Sequence, residues 1–226
     1  MQSLVFLLDV DNTLLDNDAV KADLEVRIGR LLGEARSRDF WAIYEQVRRD
    51  YDYVDFPRTL ARFRMAFPDE RGFPHVAALV LGYPYETALF PLALEVIAYL
   101  RTMGTAAILS DGDPVFQPAK IARAGLASAV DDEVLVVAHK EQYLDNVMKR
   151  LPAERYVMVD DKPGLLAAMK ARLAERVVTV HICQGRYAHE AEHAAYPEWD
   201  LGVEQIADLL ALGAEEFTPR EHTAHG

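Results

Sequence analysis

Cysteine is nearly absent from this chain: Cys183 is alone among 226 residues, which excludes an internal disulfide and a cysteine-based zinc site. No apolar run approaches the roughly 18 residues of a membrane span. The opening stretch is shorter than a secretory core, carries no basic residues ahead of it and ends in aspartates. Positive charge is also scarce, with 24 Lys+Arg against 36 Asp+Glu and a formal net charge of -12. Such a surface repels a phosphate backbone, so no nucleic-acid partner is expected; a small anion is acceptable where a local cation screens the field. The chain reads as soluble and cytoplasmic, with no membrane partner, and as a monomer or homodimer.

What is abundant is apolar residue, 51% of the chain, enough to bury a substantial core. Short runs of strand type recur as LVFLL (4–8), AAIL (106–109), VLVVA (134–138), YVMV (156–159) and VVTVHI (177–182). They are continuous rather than alternating in polarity, as in strands covered on both faces. Helical patterns lie between them, over 91–104 (Pro91 at its start, Gly104 as its cap), 117–126, 141–151 and 163–175. This alternation predicts an α/β fold with a Rossmann-like, doubly wound parallel sheet. Residues 17–90 break the rhythm with amphipathic helices and no strand, which predicts a helical cap inserted into a core made of 1–16 and 91–226. The polar end, EEFTPREHTAHG, is expected to be loosely ordered.

The first strand run ends in Asp9 and Asp11. Two like charges about 4 Å apart repel by roughly 4 kcal/mol at an effective dielectric near 20, so the pair calls for a cation. In open α/β sheets ligands bind beyond the carboxyl ends of strands, and a chemically distinctive residue falls there four times: Asp9 and Asp11, Ser110, Lys140, then Asp160 and Asp161. A calcium loop is not the explanation, because its glycine and glutamate positions hold Leu14 and Val20. A receiver domain places its acidic pair after the first strand and its lysine last, whereas here Asp160 and Asp161 follow Lys140.

Taken together, DVDNT (9–13), Ser110 in ILSDGD, Lys140 in AHKEQ and VDDK (159–162) resemble the four motifs of the haloacid dehalogenase superfamily, in order, over residues 4 to about 182. The resemblance implies a Mg²⁺-dependent phosphatase acting on a small phosphorylated metabolite through an aspartyl phosphate on Asp9. It implies that Asp11 protonates the leaving oxygen and then activates water, with a raised pKa, that Ser110 binds the phosphoryl group and that Lys140 offsets its charge. Thr13, Asp111 and Gly112 join the expected phosphate site, Gly112 by letting backbone N–H groups approach. Mg²⁺ would contact Asp9, the Asp11 carbonyl and the Asp160–Asp161 pair, with either of the two as the direct ligand.

A phosphomutase shares all four motifs. A dehalogenase needs no proton for a halide and lacks the second aspartate, which Asp11 supplies here. Phosphonate cleavage would require a cap lysine, and Lys21 is the one lysine of the insert. A non-catalytic phospho-ligand protein on the same fold is the alternative of another class, opposed by the intact motif set. Within the insert, Arg48, Arg49, Arg58, Arg62 and Arg64 are candidates to meet an anion. Set against that is a plain helical core of Phe40, Trp41, Tyr44 and Phe63 with a solvated basic face. His189 and His193, four apart, read as surface histidines rather than a metal site.

Overall fold

The computed structural model describes residues 4–51, 53–185 and 199–218. Strand β1 (Leu4–Leu8) leads into four helices, α1 (Asn17–Leu32), α2 (Glu34–Tyr51), α3 (Phe56–Ala66) and α4 (Phe73–Leu81), which pack on one another. Asp16 caps α1 by accepting from the Ala19 N–H at 2.8 Å, and Asp55 caps α3 through Arg58 N–H at 2.6 Å, each supplying an acceptor for an otherwise unpaired donor. The chain leaves for this helical segment and returns from it along one seam: Asp16 N–H donates to Ala88 O at 2.8 Å and Phe90 N–H to Leu14 O at 3.0 Å.

Helix α5 (Ala93–Leu100), β2 (Thr105–Asp111), α6 (Phe116–Arg123), α7 (Leu126–Ala129), β3 (Val134–Val137), α8 (Leu144–Arg150), β4 (Arg155–Asp160), α9 (Pro163–Leu173), β5 (Val177–Ile182) and β6 (Leu201–Val203) follow. The described strands form one sheet in the order β3-β2-β1-β4-β5-β6, and every neighbouring pair is parallel. Successive side chains of a strand point to opposite faces. Phe6, Leu8, Ile108, Val157 and Val159 therefore join one buried cluster with Val96 and Ile97 of α5 and Ile121 of α6. Val5, Leu7, Leu109 and Met158 join another with Val147 of α8 and Leu166 and Met169 of α9. Helices cover both faces, which is the doubly wound arrangement.

Three local differences from the sequence reading have physical causes. The helix expected over 91–104 is regular only over Ala93–Leu100, and Pro91 precedes it in a turn. The 141–151 segment opens with a tight turn at Lys140–Gln142 before α8, and that turn aims Lys140 inward. Strand β6 is three residues long and takes its place through its register with β5, Val180 opposite Leu201 to Ile182 opposite Val203, rather than through an apolar run of its own.

Gly104 donates its N–H to Leu100 O at 3.1 Å, yet what demands glycine there is the neighbouring strand: a Cβ would overlap the Leu4 carbonyl oxygen. Gly104→Ala is expected to cost about 1–3 kcal/mol, the usual range for overpacking, seen as a lower urea midpoint at unchanged slope. An unchanged midpoint would show that β1 can give way.

Candidate active site

The strand order sets the carboxyl ends of β3, β2, β1 and β4 side by side, so the four sequence-predicted positions converge. Asp9 follows β1 directly and its N–H donates to Val159 O at 3.0 Å. The chain then turns tightly, with the N–H groups of Leu14 and Leu15 both donating to Val10 O at 2.9 Å. Asn12 takes φ 62°, a left-handed conformation that asparagine adopts more readily than most residues. Gly185 lets the segment after β5 lie against this turn, since a Cβ there would sit 2.6 Å from the Asn12 Cβ. Gln184 ties the same segment down by donating to Thr13 O at 3.2 Å.

Lys140 is fully buried, and its Nζ donates to Asp9 Oδ1 and, at 2.8 Å, to Asp160 Oδ2. Burial opposes its charge, but Asp160, Asp9 and Asp111 outweigh that and hold the ammonium above the ordinary lysine value. Asp111 accepts the Lys140 backbone N–H at 2.9 Å, so it positions the lysine. The second Asp160 oxygen accepts the Lys162 N–H at 2.9 Å.

Asp161 differs from Asp160. Both of its oxygens are buried and, among the described residues, neither has a hydrogen-bond partner; the same holds for Asp9 Oδ2. Burial, followed by the charges of Asp160 and Asp9, pushes the Asp161 carboxyl well above the usual range. Burial likewise pushes Asp9 up to about 6, with Lys140 opposing. Oxygens of Asp9, Asp160 and Asp161 lie within 4.8 Å of one another. An all-oxygen donor set with orphaned, buried carboxylate oxygens fits a hard divalent cation. Asp160 is engaged by Lys140 and by a backbone N–H, which leaves Asp161 with two oxygens to give.

Asp11 turns away from this acidic group. Its Oδ1 accepts from Lys120 Nζ and its Oδ2 from Gln117 Nε2 at 3.0 Å. The raised pKa expected for Asp11 is not what this geometry produces: burial pushes it up, but Lys120 and Gln117 prevail and hold it below the usual carboxylate value. Gln117 Nε2 also donates to Ser110 Oγ at 2.9 Å, and Lys120 Nζ to Asn17 Oδ1 at 2.9 Å.

The sequence reading missed Gln117, Lys120 and Asn17. The one available signal was the three-residue spacing of Gln117 and Lys120, which places both on one face of the helix after β2. Gly112, expected to open N–H groups to phosphate, gives its own N–H to Val137 O at 3.0 Å. Thr13 is buried, and its Oγ1 has no hydrogen-bond partner among the described residues.

A cleft of about 190 Å³ opens over Asp11, Asp111, Gly112 and Lys162, roofed by Lys21, Tyr44, Arg48 and Tyr53 of the helical segment. Of the five candidate arginines, Arg48 alone lines it. Arg58 is held by Asp55 at 2.9 Å and Tyr51 at 2.7 Å, Arg62 by Asp50 at 2.6 Å, and Arg64 lies over the Phe73 ring; Arg49 is exposed. Phe40 and Phe63 are buried with ring centroids 5.4 Å apart, and Trp41 and Tyr44 pack beside them, so this aromatic group forms the core of the helices. His189 and His193 lie outside the described residues.

Comparison with known proteins agrees with this geometry. A family model for haloacid dehalogenase-like hydrolases matches residues 4–171. No curated protein matches the chain significantly. A solved structure from Burkholderia xenovorans LB400, assigned as a haloacid dehalogenase-like hydrolase, is 42% identical, with TM-score 0.89 over 97% of this chain and 100% of that one. The L-2-haloacid dehalogenase of Xanthobacter autotrophicus (20% identity, TM-score 0.60, 94% and 98% coverage) shares the fold. So does a β-phosphoglucomutase assignment from Thermotoga maritima (15%, TM-score 0.61, 93% and 97%). No helix among the described residues is long and apolar enough to cross a membrane. With the family model spanning most of the chain and the acidic strand ends gathered at one edge of a parallel sheet, this protein belongs to the haloacid dehalogenase-like hydrolases.

Proposed function

We propose that the protein is a Mg²⁺-dependent phosphatase of a small phosphorylated metabolite. The observation that carries this reading is Asp11. Its carboxylate is turned out of the acidic group and into the cleft, within reach of Ser110 through Gln117. A phosphoester needs such a group to manage the proton on its leaving oxygen, whereas a halide does not.

Asp9 attacks phosphorus through its carboxylate, which Lys140 holds and aims by donating to Oδ1. Ser110 donates to a phosphoryl oxygen, and Lys140 offsets the charge that gathers as the bond to Asp9 forms. Lys120 and Gln117 hold Asp11 ionised, the state that takes a proton from the water releasing phosphate. Ionised Asp11 carries no proton for the leaving oxygen, so in the first step Lys120 shifts from Asp11 to the substrate, Asp11 takes up a proton from solvent, and giving it to the leaving oxygen returns Asp11 to the ionised state. Asp9, Asp161 and the Asp11 carbonyl would hold Mg²⁺, with Asp160 helping to orient Asp9 through Lys140. When bound, the ion supplies positive charge to the nonbridging phosphoryl oxygens. The helices over the cleft keep bulk water from the reacting atoms.

Phosphate release from a panel of phosphomonoesters is expected to depend on Mg²⁺ and to fall at least about a thousandfold in Asp9→Asn, which removes the nucleophile. Equal release by Asp9→Asn and wild type would contradict the assignment.

The acidic group also predicts a pH signature. Because Asp9 titrates at about 6 rather than 3.8 and Asp161 is also raised well above the usual carboxylate range, the metal-free native state keeps protons that the unfolded chain has released. Their contribution to stability is full below about pH 4 and is lost as pH rises through about 6 and beyond. Thermal unfolding should show this decline, and Mg²⁺ should reverse it at pH 7 to 8. Asp161→Asn should remove the Mg²⁺-induced rise in Tm without lowering the Tm of the metal-free protein. A Tm rise that survives in Asp161→Asn would place the ion elsewhere.

A further inference from the structure

A second, smaller cavity adjoins the site. It shares Asp11, Asn17, Lys21, Tyr44, Val54 and Gln117 with the cleft but none of the three clustered acids, and it has a volume of about 40 Å³. A water-sized group takes about 10–15 Å³ on this measure, so the cavity accepts roughly three or four non-hydrogen atoms. Leu24, Phe56, Tyr85 and Phe116 give it apolar walls, and Asn17 and Gln117 add polar edges. Its charged lining is two ammonium groups, Lys21 and Lys120, against the single carboxylate of Asp11. Each ammonium has a carboxylate beside it in the free protein, Asp11 for Lys120 and Glu45 for Lys21, and an anion in the cavity would give both lysines a further acceptor.

The two lysines come from different layers and meet at this cavity. Lys120, on α6, is 4% exposed, and its Nζ touches Asp11 and Asn17 and lies 5.5 Å above the Tyr85 ring. Lys21, on α1, has its Nζ 5.4 Å above the Tyr44 ring, with Glu45 behind it at 3.5 Å. If Asp11 handles the proton of the leaving oxygen, that oxygen sits beside Asp11. The rest of the leaving group then has this cavity as its enclosed destination.

We propose that the organic part of the substrate is a two-carbon acid whose carboxylate is held between Lys120 and Lys21. The substrate class is then a short phosphorylated carboxylic acid, and Lys120 and Lys21 are its specificity-determining residues. This rests on the phosphatase reading given above. A neutral leaving group of the same size would fill the cavity but leave both ammonium groups without an added anion, and a hexose would exceed its volume.

The test is a steady-state comparison, with Mg²⁺, of phosphoglycolate, ethylene glycol monophosphate and a hexose phosphate, using wild type, Lys21→Met and Lys120→Met. Wild type should favour phosphoglycolate over each of the other two by about tenfold or more in kcat/KM, the effect of one charge-assisted hydrogen bond. Lys21→Met should raise KM for phosphoglycolate by about tenfold with a smaller change in kcat, and so narrow the preference. Lys120→Met should narrow it and lower kcat as well, because Lys120 also contacts Asp11. Lys21 is partly exposed, so its variant decides the matter should Lys120→Met fail to fold.

Wild-type activity on the neutral or hexose ester equal to that on the acid would overturn the proposal and leave the phosphatase reading standing. So would an acid preference that persists in Lys21→Met. Absence of Mg²⁺-dependent phosphate release from all three esters by folded protein would overturn both.

Discussion

The Lys140 ammonium, fully buried between Asp9 and Asp160, is the contact on which the site depends. Three carboxylates are brought within 4.8 Å at the edge of a parallel sheet, where each close pair repels by roughly 4 kcal/mol at an effective dielectric of 20. Lys140 offsets two of them. It is held for that task by Asp111, which accepts its backbone N–H, and by the tight turn that precedes α8. Asp161 is left with two buried oxygens and no hydrogen-bond partner among the described residues. The fold thus carries a standing demand for a cation at one place. That demand links the stability of the acidic edge to its chemistry, since the ion that relieves the repulsion is also the one that would meet a phosphoryl group.

The two aspartates of the first motif have separate environments even though one residue lies between them. Asp9 faces the acidic group and Lys140, and burial raises its pKa; Asp11 faces Lys120 and Gln117 and is held low. Two carboxylates pushed apart in this way suit two roles, one for attack and one for proton traffic. Helix α6 of the core supplies both partners of Asp11, while α1 supplies Asn17 and Lys21, so the Asp11 side of the cleft is built jointly by the sheet layer and the helices between β1 and β2.

Much of this was legible in the sequence because β1 to β4 are largely continuous apolar runs, each ending in or closely followed by a polar residue with chemistry. A parallel sheet then requires that Asp9, Ser110, Lys140 and Asp160 share an edge. The choice between Asp160 and Asp161 was not legible, because it turns on which carboxylate is consumed by Lys140 and the Lys162 N–H. Gln117 and Lys120 escaped for a related reason: a helical pattern shows that a face exists, but not that the face meets Asp11. In the insert, the number of arginines suggested an anion site, yet Asp50 and Asp55 claim two of them. Strand β6 was hidden because three residues carry no periodicity. Gly104 looked like a cap, and its need for glycine comes from Leu4, about a hundred positions away in the chain.

The central claim is that Asp9 becomes covalently phosphorylated during turnover, and acid-quenched protein examined by peptide mass spectrometry tests it most directly. With a hydrolysable phosphomonoester and Mg²⁺, the Met1–Lys21 peptide should gain the mass of one phosphoryl group, localised by fragmentation to Asp9 and absent from Asp9→Asn. Phosphate release at the wild-type rate with no adduct at Asp9, or with the adduct on another residue, would contradict the account.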